Sequence, residues 1–296
     1  MNRPVTQGPL LILGASALFG STGTAQALGP AGANSFTVGL IRLVIGGAGL
    51  AAAAIVLHRV GPLGLTSRPA IALGAAAVLA YQLAFFAGVR ASGVAIGTVI
   101  TIGSAPVLTG LISWVALGER PGRRWAISTA VAILGIVLIA GPAGGANVEG
   151  VLLNLTAGLS YAVFASASKR LLDTQPPLGA MAVMFGGGAV LAAPLLLFGD
   201  VSFLRTGDGL AMALWLGFAA TTLAYVLYGY GLRSTPVATA ATLTLLEPVV
   251  ATVLGVAILT ERPAVSAWVG MALVLLALGV LISRTDRPVR ASVAPS

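Results

Sequence analysis

The amino-acid sequence predicts an all-α integral membrane protein, with ten transmembrane helices laid out as two inverted five-helix repeats. Three observations predict it. Of 296 residues, 57% are hydrophobic and 8% charged, with a mean hydropathy of +1.01, whereas a soluble domain needs roughly a quarter charged residues to cover its surface. The apolar residues fall into ten runs, each near the ~20 residues that a ~30 Å hydrocarbon core demands. The tripeptide Glu119-Arg120-Pro121 recurs as Glu261-Arg262-Pro263, the mark of an internal duplication.

Gly, Pro and charged residues divide the chain into spans at 9–28, 36–57, 69–89, 94–117, 124–141, 149–168, 180–198, 210–231, 236–259 and 264–283. The first imitates a secretory signal, since an apolar run from Leu10 to Phe19 is followed by Ala25-Gln26-Ala27. We read it as a retained helix, because Leu10-Leu11 matches Leu152-Leu153 at the same 142-residue offset that relates Glu119 to Glu261. At that offset Pro106-Val107 also matches Pro248-Val249, and Ser92 matches Ser234. Spans one, two, four and five therefore fall on six, seven, nine and ten. The third and eighth correspond through Leu-Ala-Tyr at 79–81 and 223–225, with a two-residue slip. The repeats occupy 1–141 and 149–283, and residues 284–296 are expected to form a disordered cytoplasmic tail.

Five spans per repeat place the second copy upside down. The basic residues agree. With the N-terminus inside, twelve of the sixteen Lys and Arg lie on the cytoplasmic side, Arg90, Arg205 and Arg262 lie outside, and Arg42 falls within the second span. The expected location is the cytoplasmic membrane, with both termini cytoplasmic. Although the net charge is +8, the basic residues are scattered singly between apolar runs, which argues against a nucleic-acid surface. There is no cysteine, which excludes disulfides and thiol catalysis. No metal cluster, nucleotide loop or nucleophile-base pair is present, His58 stands alone in a basic loop, and no cofactor or enzymatic activity is expected. The lipid bilayer is one expected partner, a small molecule the other. Protons are a candidate third partner, and the oligomeric state is left open with a monomer plausible.

Inverted halves are the architecture of alternating access, because exchanging their conformations exchanges the side that is open. The pairing of Pro106-Val107 with Glu119-Arg120-Pro121, repeated as Glu247-Pro248-Val249 with Glu261-Arg262-Pro263, resembles the paired signature of EamA-type proteins of the drug/metabolite transporter superfamily. The general look is most similar to the YddG-like exporters of aromatic amino acids. The resemblance implies a ten-helix transporter, an outward direction, and a central cavity lined chiefly by the first, third, fourth, sixth, eighth and ninth helices.

Among ionisable side chains, Arg42 and Glu247 lie well inside spans, where charge is costly and marks a pathway or a partner. Glu247 sits about 16 Å deep, near the midplane, beside Pro248. Two readings stay open: a protonatable site or counter-charge for a substrate ammonium, and a structural carboxyl that bonds the carbonyls freed by the proline. Arg42, roughly 9 Å from the outer end of its span, is expected to snorkel to the interface. Helical spacing puts Tyr81, Gln82 and Phe85 on one face and Thr98, Thr101 and Ala105 on another. The 142-residue shift aims Glu247 at the axis that Thr98 and Thr101 face. Phe19 pairs with Tyr161 across the repeat, Ser21, Thr22 and Thr24 offer hydroxyls beside Phe19, and Tyr225 adds a further aromatic surface.

The candidate substrate-binding residues are Phe19, Ser21, Thr22, Tyr81, Gln82, Phe85, Thr98, Thr101, Tyr161 and Tyr225. The competing reading is that Ser and Thr bond their own backbone or glue helices together. Tyr228 and Tyr230, with Trp114, Trp125, Trp215 and Trp268, are expected at the interface. Pro106 and Pro248 are the expected helix breaks of the two halves, and Gly186 to Gly188 are expected to allow close helix contact. The reading this supports is a secondary transporter of small amphipathic metabolites, aromatic amino acids first, working by alternating access or facilitated diffusion through a central cavity. The alternatives are an exporter of cationic drugs and a permease for purines or threonine-like amino acids.

Overall fold

The structure is a computed structural model that describes residues 7–61, 64, 67–141 and 147–283. The expected tail at 284–296 lies outside the described residues. Ten helices cross the molecule: α1 Gln7–Ala27, α2 Ser35–Val56, α3 Arg68–Ser92, α4 Val94–Leu117, α5 Arg123–Ala140, α6 Val148–Leu171, α7 Pro177–Phe198, α8 Gly207–Ser234, α9 Val237–Leu259 and α10 Val265–Ile282. Each is long and apolar enough to span a bilayer. Helix is the outcome lipid allows, because every peptide group must find its partner within the segment. Polar side chains mark several starts: Asn34, Asn147 and Thr206 accept from the N–H of Phe36, Gly150 and Gly209 at 2.9, 2.7 and 3.1 Å.

The packing reproduces the inverted repeat in space. α3 lies along α6 as α8 lies along α1, α4 packs on α6 as α9 packs on α1, and α3 meets α7 as α8 meets α2. Counterparts also meet directly: α2 with α7, α4 with the first segment of α9, and α5 with α10. In the last seam the backbones touch: a Cβ on Gly135 would come within 2.6 Å of the Gly270 carbonyl, and one on Gly270 within 2.4 Å of the Gly135 carbonyl. Small residues do this work in membranes, where lipid is as apolar as leucine and close van der Waals contact drives association. Of the glycines at 186–188, Gly187 and Gly188 lie against Ala75 and Val78 of α3, while Gly186 has room around it.

Three helices depart from α geometry, all in the second half. α7 ends in a 3₁₀ segment at Ala193–Phe198. α8 widens to π-turns over Trp215–Leu223, and the two-residue slip between the third and eighth spans falls at this stretch. α9 tightens to a 3₁₀ turn at Thr244–Leu246. Pro106 does not produce the expected break: α4 is α-helical from Val94 to Leu117. The hydroxyls of Ser104 and Thr109, which flank it, donate to the Thr101 and Ala105 carbonyls of their own helix.

Candidate functional site

The break in α9 sets the site. Because the turn at 244–246 is tight, the Glu247 N–H reaches the Thr244 carbonyl and leaves the Leu243 carbonyl short of its helical donor. Ser16, fully buried on α1, donates to it at 3.3 Å as well as to Ile12 at 2.8 Å. The Glu247 carboxylate is therefore not what bonds the loosened carbonyl. It is directed into a partly enclosed chamber of about 90 Å³ between the halves, and among the described residues it has no hydrogen-bond partner and no ion pair.

Arg42 lines the same chamber. The expectation that Arg42 snorkels to the interface is overturned. Its Nε donates to Thr221 Oγ1 at 2.9 Å and its Nη2 to the Ala220 carbonyl at 3.3 Å. Both acceptors lie in the widened stretch of α8, where Thr221 in turn donates to the Leu216 carbonyl at 2.8 Å. A guanidinium that finds acceptors inside the bundle has no need of the headgroups.

Opposite the charges, rings from four helices interlock. Tyr225 lies 4.0 Å from Phe185, 5.0 Å from Phe19 and 5.7 Å from Phe164 between ring centroids. Tyr161 stands 6.4 Å from Phe164, and its hydroxyl is 3.2 Å from that of Tyr228. Tyr228 is fully buried, so its expected interfacial position is corrected: pairing with Tyr161 satisfies its hydroxyl without water. Trp125 is likewise drawn inward, where Nε1 donates to the Ala238 carbonyl at 2.9 Å. Trp114, Trp215 and Trp268 keep about half their surface exposed.

Of the residues singled out from the sequence, Phe19, Tyr81, Gln82, Thr101, Tyr161, Tyr225 and Glu247 line the chamber. Besides Tyr161, whose hydroxyl meets that of Tyr228, two of these are already engaged. Gln82 donates to the Gly39 carbonyl at 3.0 Å, and Thr101 to the Asn154 carbonyl and Oδ1 at 3.2 and 3.3 Å. The other four stand outside it. Ser21 donates to the Leu18 carbonyl and accepts from Trp215 Nε1, so it fastens α1 to α8. The Thr22 hydroxyl is buried without a partner among the described residues. Phe85 stacks behind Tyr81 at 5.8 Å, and Thr98 lies about one turn from Thr101, away from the chamber.

Several lining residues had not been singled out: Leu43 and Phe185 from α2 and α7, and Phe164, Thr221 and Thr244. Helices two and seven thus join the six that the resemblance implied. Asn154 was missed as well. It is fully buried, and its Nδ2 donates to Ser92 Oγ at 2.9 Å and to the Gly150 carbonyl at 2.6 Å. The rule that singled out Gln82, an amide in a span needing partners that lipid cannot offer, would have found it.

Comparison with known proteins agrees with this architecture. The EamA-like transporter family matches residues 6–141 and again 148–283. The uncharacterized transporter YwfM of Bacillus subtilis is 39% identical over 274 residues, 92% of each chain. A probable terminal-alkyne amino-acid exporter of Streptantibioticus cattleyicolor is 31% identical over 255 residues, 83% of each chain. One protein crystal structure superposes with a TM-score of 0.79 over 92% of this chain and 95% of the other, at 20% identity, and so shares the fold.

Proposed function

Because the chain belongs to the EamA-like transporter family and is a multi-pass membrane transporter, we propose that it carries small amphipathic metabolites, aromatic amino acids first, outward across the cytoplasmic membrane. The observation that carries the reading is the chamber itself: one carboxylate, one guanidinium and a wall of rings, contributed by both halves near the break in α9. An α-amino acid presents a cation, an anion and a side chain within a few ångströms. Its ammonium would meet Glu247, its carboxylate the remaining donors of Arg42, and its ring the surface of Tyr161, Phe164 and Tyr225. Buried charges need such partners, and a zwitterion supplies both. At about 90 Å³ the chamber holds several waters, so the halves must part slightly to load an indole. Direction follows the resemblance and the amino-acid exporter among the relatives. An orientation with both termini in the cytoplasm is supported by the positive-inside rule, since it leaves twelve of the sixteen basic residues on that side.

A second reading draws on one feature. A carboxylate among rings also suits an organic cation, which gains from both charge and ring faces, although Arg42 then opposes it. Uptake by proteoliposomes of labelled tryptophan, threonine, methyl viologen and adenine, with and without a pH gradient, separates the readings. Saturable tryptophan transport is expected. Transport of methyl viologen or adenine in its place replaces the substrate assignment, and no transport of any solute defeats it. A rate that responds to the pH gradient makes a proton part of the cycle, and loss of that response in Glu247→Gln makes Glu247 its carrier.

A further inference from the structure

The two halves carry the same device at opposite faces, and this structure uses one of them. α4 ends on Gly118 in the left-handed region (φ 69°), after which the Glu119 N–H bonds the Ser113 carbonyl at 3.1 Å. α9 ends on Thr260 (φ 56°), after which the Glu261 N–H bonds the Gly255 carbonyl, also at 3.1 Å. Each glutamate thus leaves an identical helix cap. Glu119 Oε2 accepts the N–H of Val237, the first residue of α9, at 2.9 Å. The same elbow between α8 and α9 is held from α6, where Lys169 Nζ donates to the carbonyls of Leu232 and Thr235 at 2.8 and 2.9 Å. Thr235 and Val237 are fully buried.

The repeat places Ala95 where Val237 stands in the other half, in the elbow between α3 and α4. Among the described residues Glu261 makes no bond to it. Its carboxylate lies folded over Gly255 of its own helix, with Oε2 2.3 Å from where a Cβ would be. Glu261 is exposed and Val94 is 71% exposed. Other contacts of the two elbows are kept: Gly8 packs on Ser234 and Thr235 as Gly150 packs on Ser92. The difference lies in how α4 and α9 approach each other. α4 packs on the first segment of α9, residues 237–243, at the Glu119 face, and the two helices separate toward the Glu261 face.

We propose that Glu119 and Glu261 are alternating latches of the transport cycle. Glu119 on the Val237 N–H seals the chamber at one face. When the halves exchange conformations, Glu119 leaves and Glu261 takes the Ala95 N–H, sealing the other face. The proposal rests on the alternating-access reading above, and its test needs no knowledge of the substrate. The cysteine-free sequence makes a single introduced thiol a clean probe, and Ala105→Cys places one on the chamber wall.

Its rate of reaction with a membrane-impermeant charged thiol reagent is measured from each face in vesicles. The parent variant should react faster from the Glu261 face. Adding Glu119→Ala should raise the rate from the Glu119 face about tenfold, the loss of one charge-assisted hydrogen bond. Adding Glu261→Ala to that variant should bring the two rates back toward the parent ratio, since each state then lacks one latch. A double variant that keeps the Glu119→Ala ratio overturns the role of Glu261. As a second measurement, the pairs Glu119→Cys with Val237→Cys and Glu261→Cys with Ala95→Cys should each form a disulfide, the second as the protein cycles. A thiol at 105 that reacts from both faces while the second pair never crosslinks also overturns the proposal. A thiol that reacts from the same one face in every variant removes alternating access itself, and the latches with it.

Discussion

Arg42 shows what a side chain's position in a span leaves undecided. The sequence gives its depth and its charge but not its azimuth, and a long cation near the end of a helix has a ready exit to the headgroups. Its inward course depends on acceptors supplied by α8, at Ala220 and Thr221. Glu247 was easier to read, because its depth leaves no exit and the repeat fixes its direction. Phe164 and Phe185, by contrast, are apolar residues in apolar helices, with nothing to distinguish a chamber wall from a core contact. If the zwitterion reading holds, the two charges are separable by ligand. Glu247→Gln should weaken tryptophan binding about tenfold or more while leaving indole-3-propionate, which lacks the ammonium, unchanged. Arg42→Gln should do the same to tryptophan relative to tryptamine, which lacks the carboxylate. Competition against a labelled substrate measures all four. Equal weakening of a ligand and its truncated analogue would make the residue structural.

Elements were legible where periodicity and punctuation spoke together. The ten spans follow from length and hydropathy, and their ends fall within a few residues of Gly, Pro or charge. Irregular turns were less visible. The two-residue slip against α3 hinted at the π-turns of α8, yet composition gives no reason for them to begin at Trp215. Prolines at equivalent places gave unequal results, since α4 absorbs Pro106 whereas α9 tightens before Pro248 and draws Ser16 across from α1. The caps behave more predictably. Gly118 and Thr260 occupy one left-handed position in the two halves, and a side chain there costs roughly 1–2 kcal/mol. Gly118→Thr should therefore lower stability by about 1 kcal/mol, and Thr260→Gly should be neutral or raise it by a similar amount. Thermal unfolding in detergent reads both shifts, and a larger loss at Thr260 than at Gly118 would mean that the Thr260 side chain compensates its backbone.

At the scale of the whole molecule, symmetry turns local observations into global ones. A 142-residue offset in sequence becomes a pseudo-twofold axis in space, along which α2 meets α7 and α5 meets α10. Five spans per repeat require that equivalent loops lie on opposite sides of the membrane. In the proposed orientation the loop carrying Arg120, Arg123 and Arg124 faces the cytoplasm, and the equivalent loop, with Arg262 alone, faces outside. Gly122 and Ala264 follow the two Glu-Arg-Pro motifs, just before α5 and α10. At Gly122 a cysteine has open space on its Cβ side. In intact cells a membrane-impermeant thiol reagent should modify Gly122→Cys only after the membrane is permeabilised, and Ala264→Cys without that treatment. The reverse pattern would keep the inverted repeat but turn the molecule over. Because the latches and the chamber are shared between inverted halves, that result would swap which glutamate guards the cytoplasm and leave the geometry intact. Modification of both sites from one side would be incompatible with five spans between them, and with the alternation that the paired glutamates require.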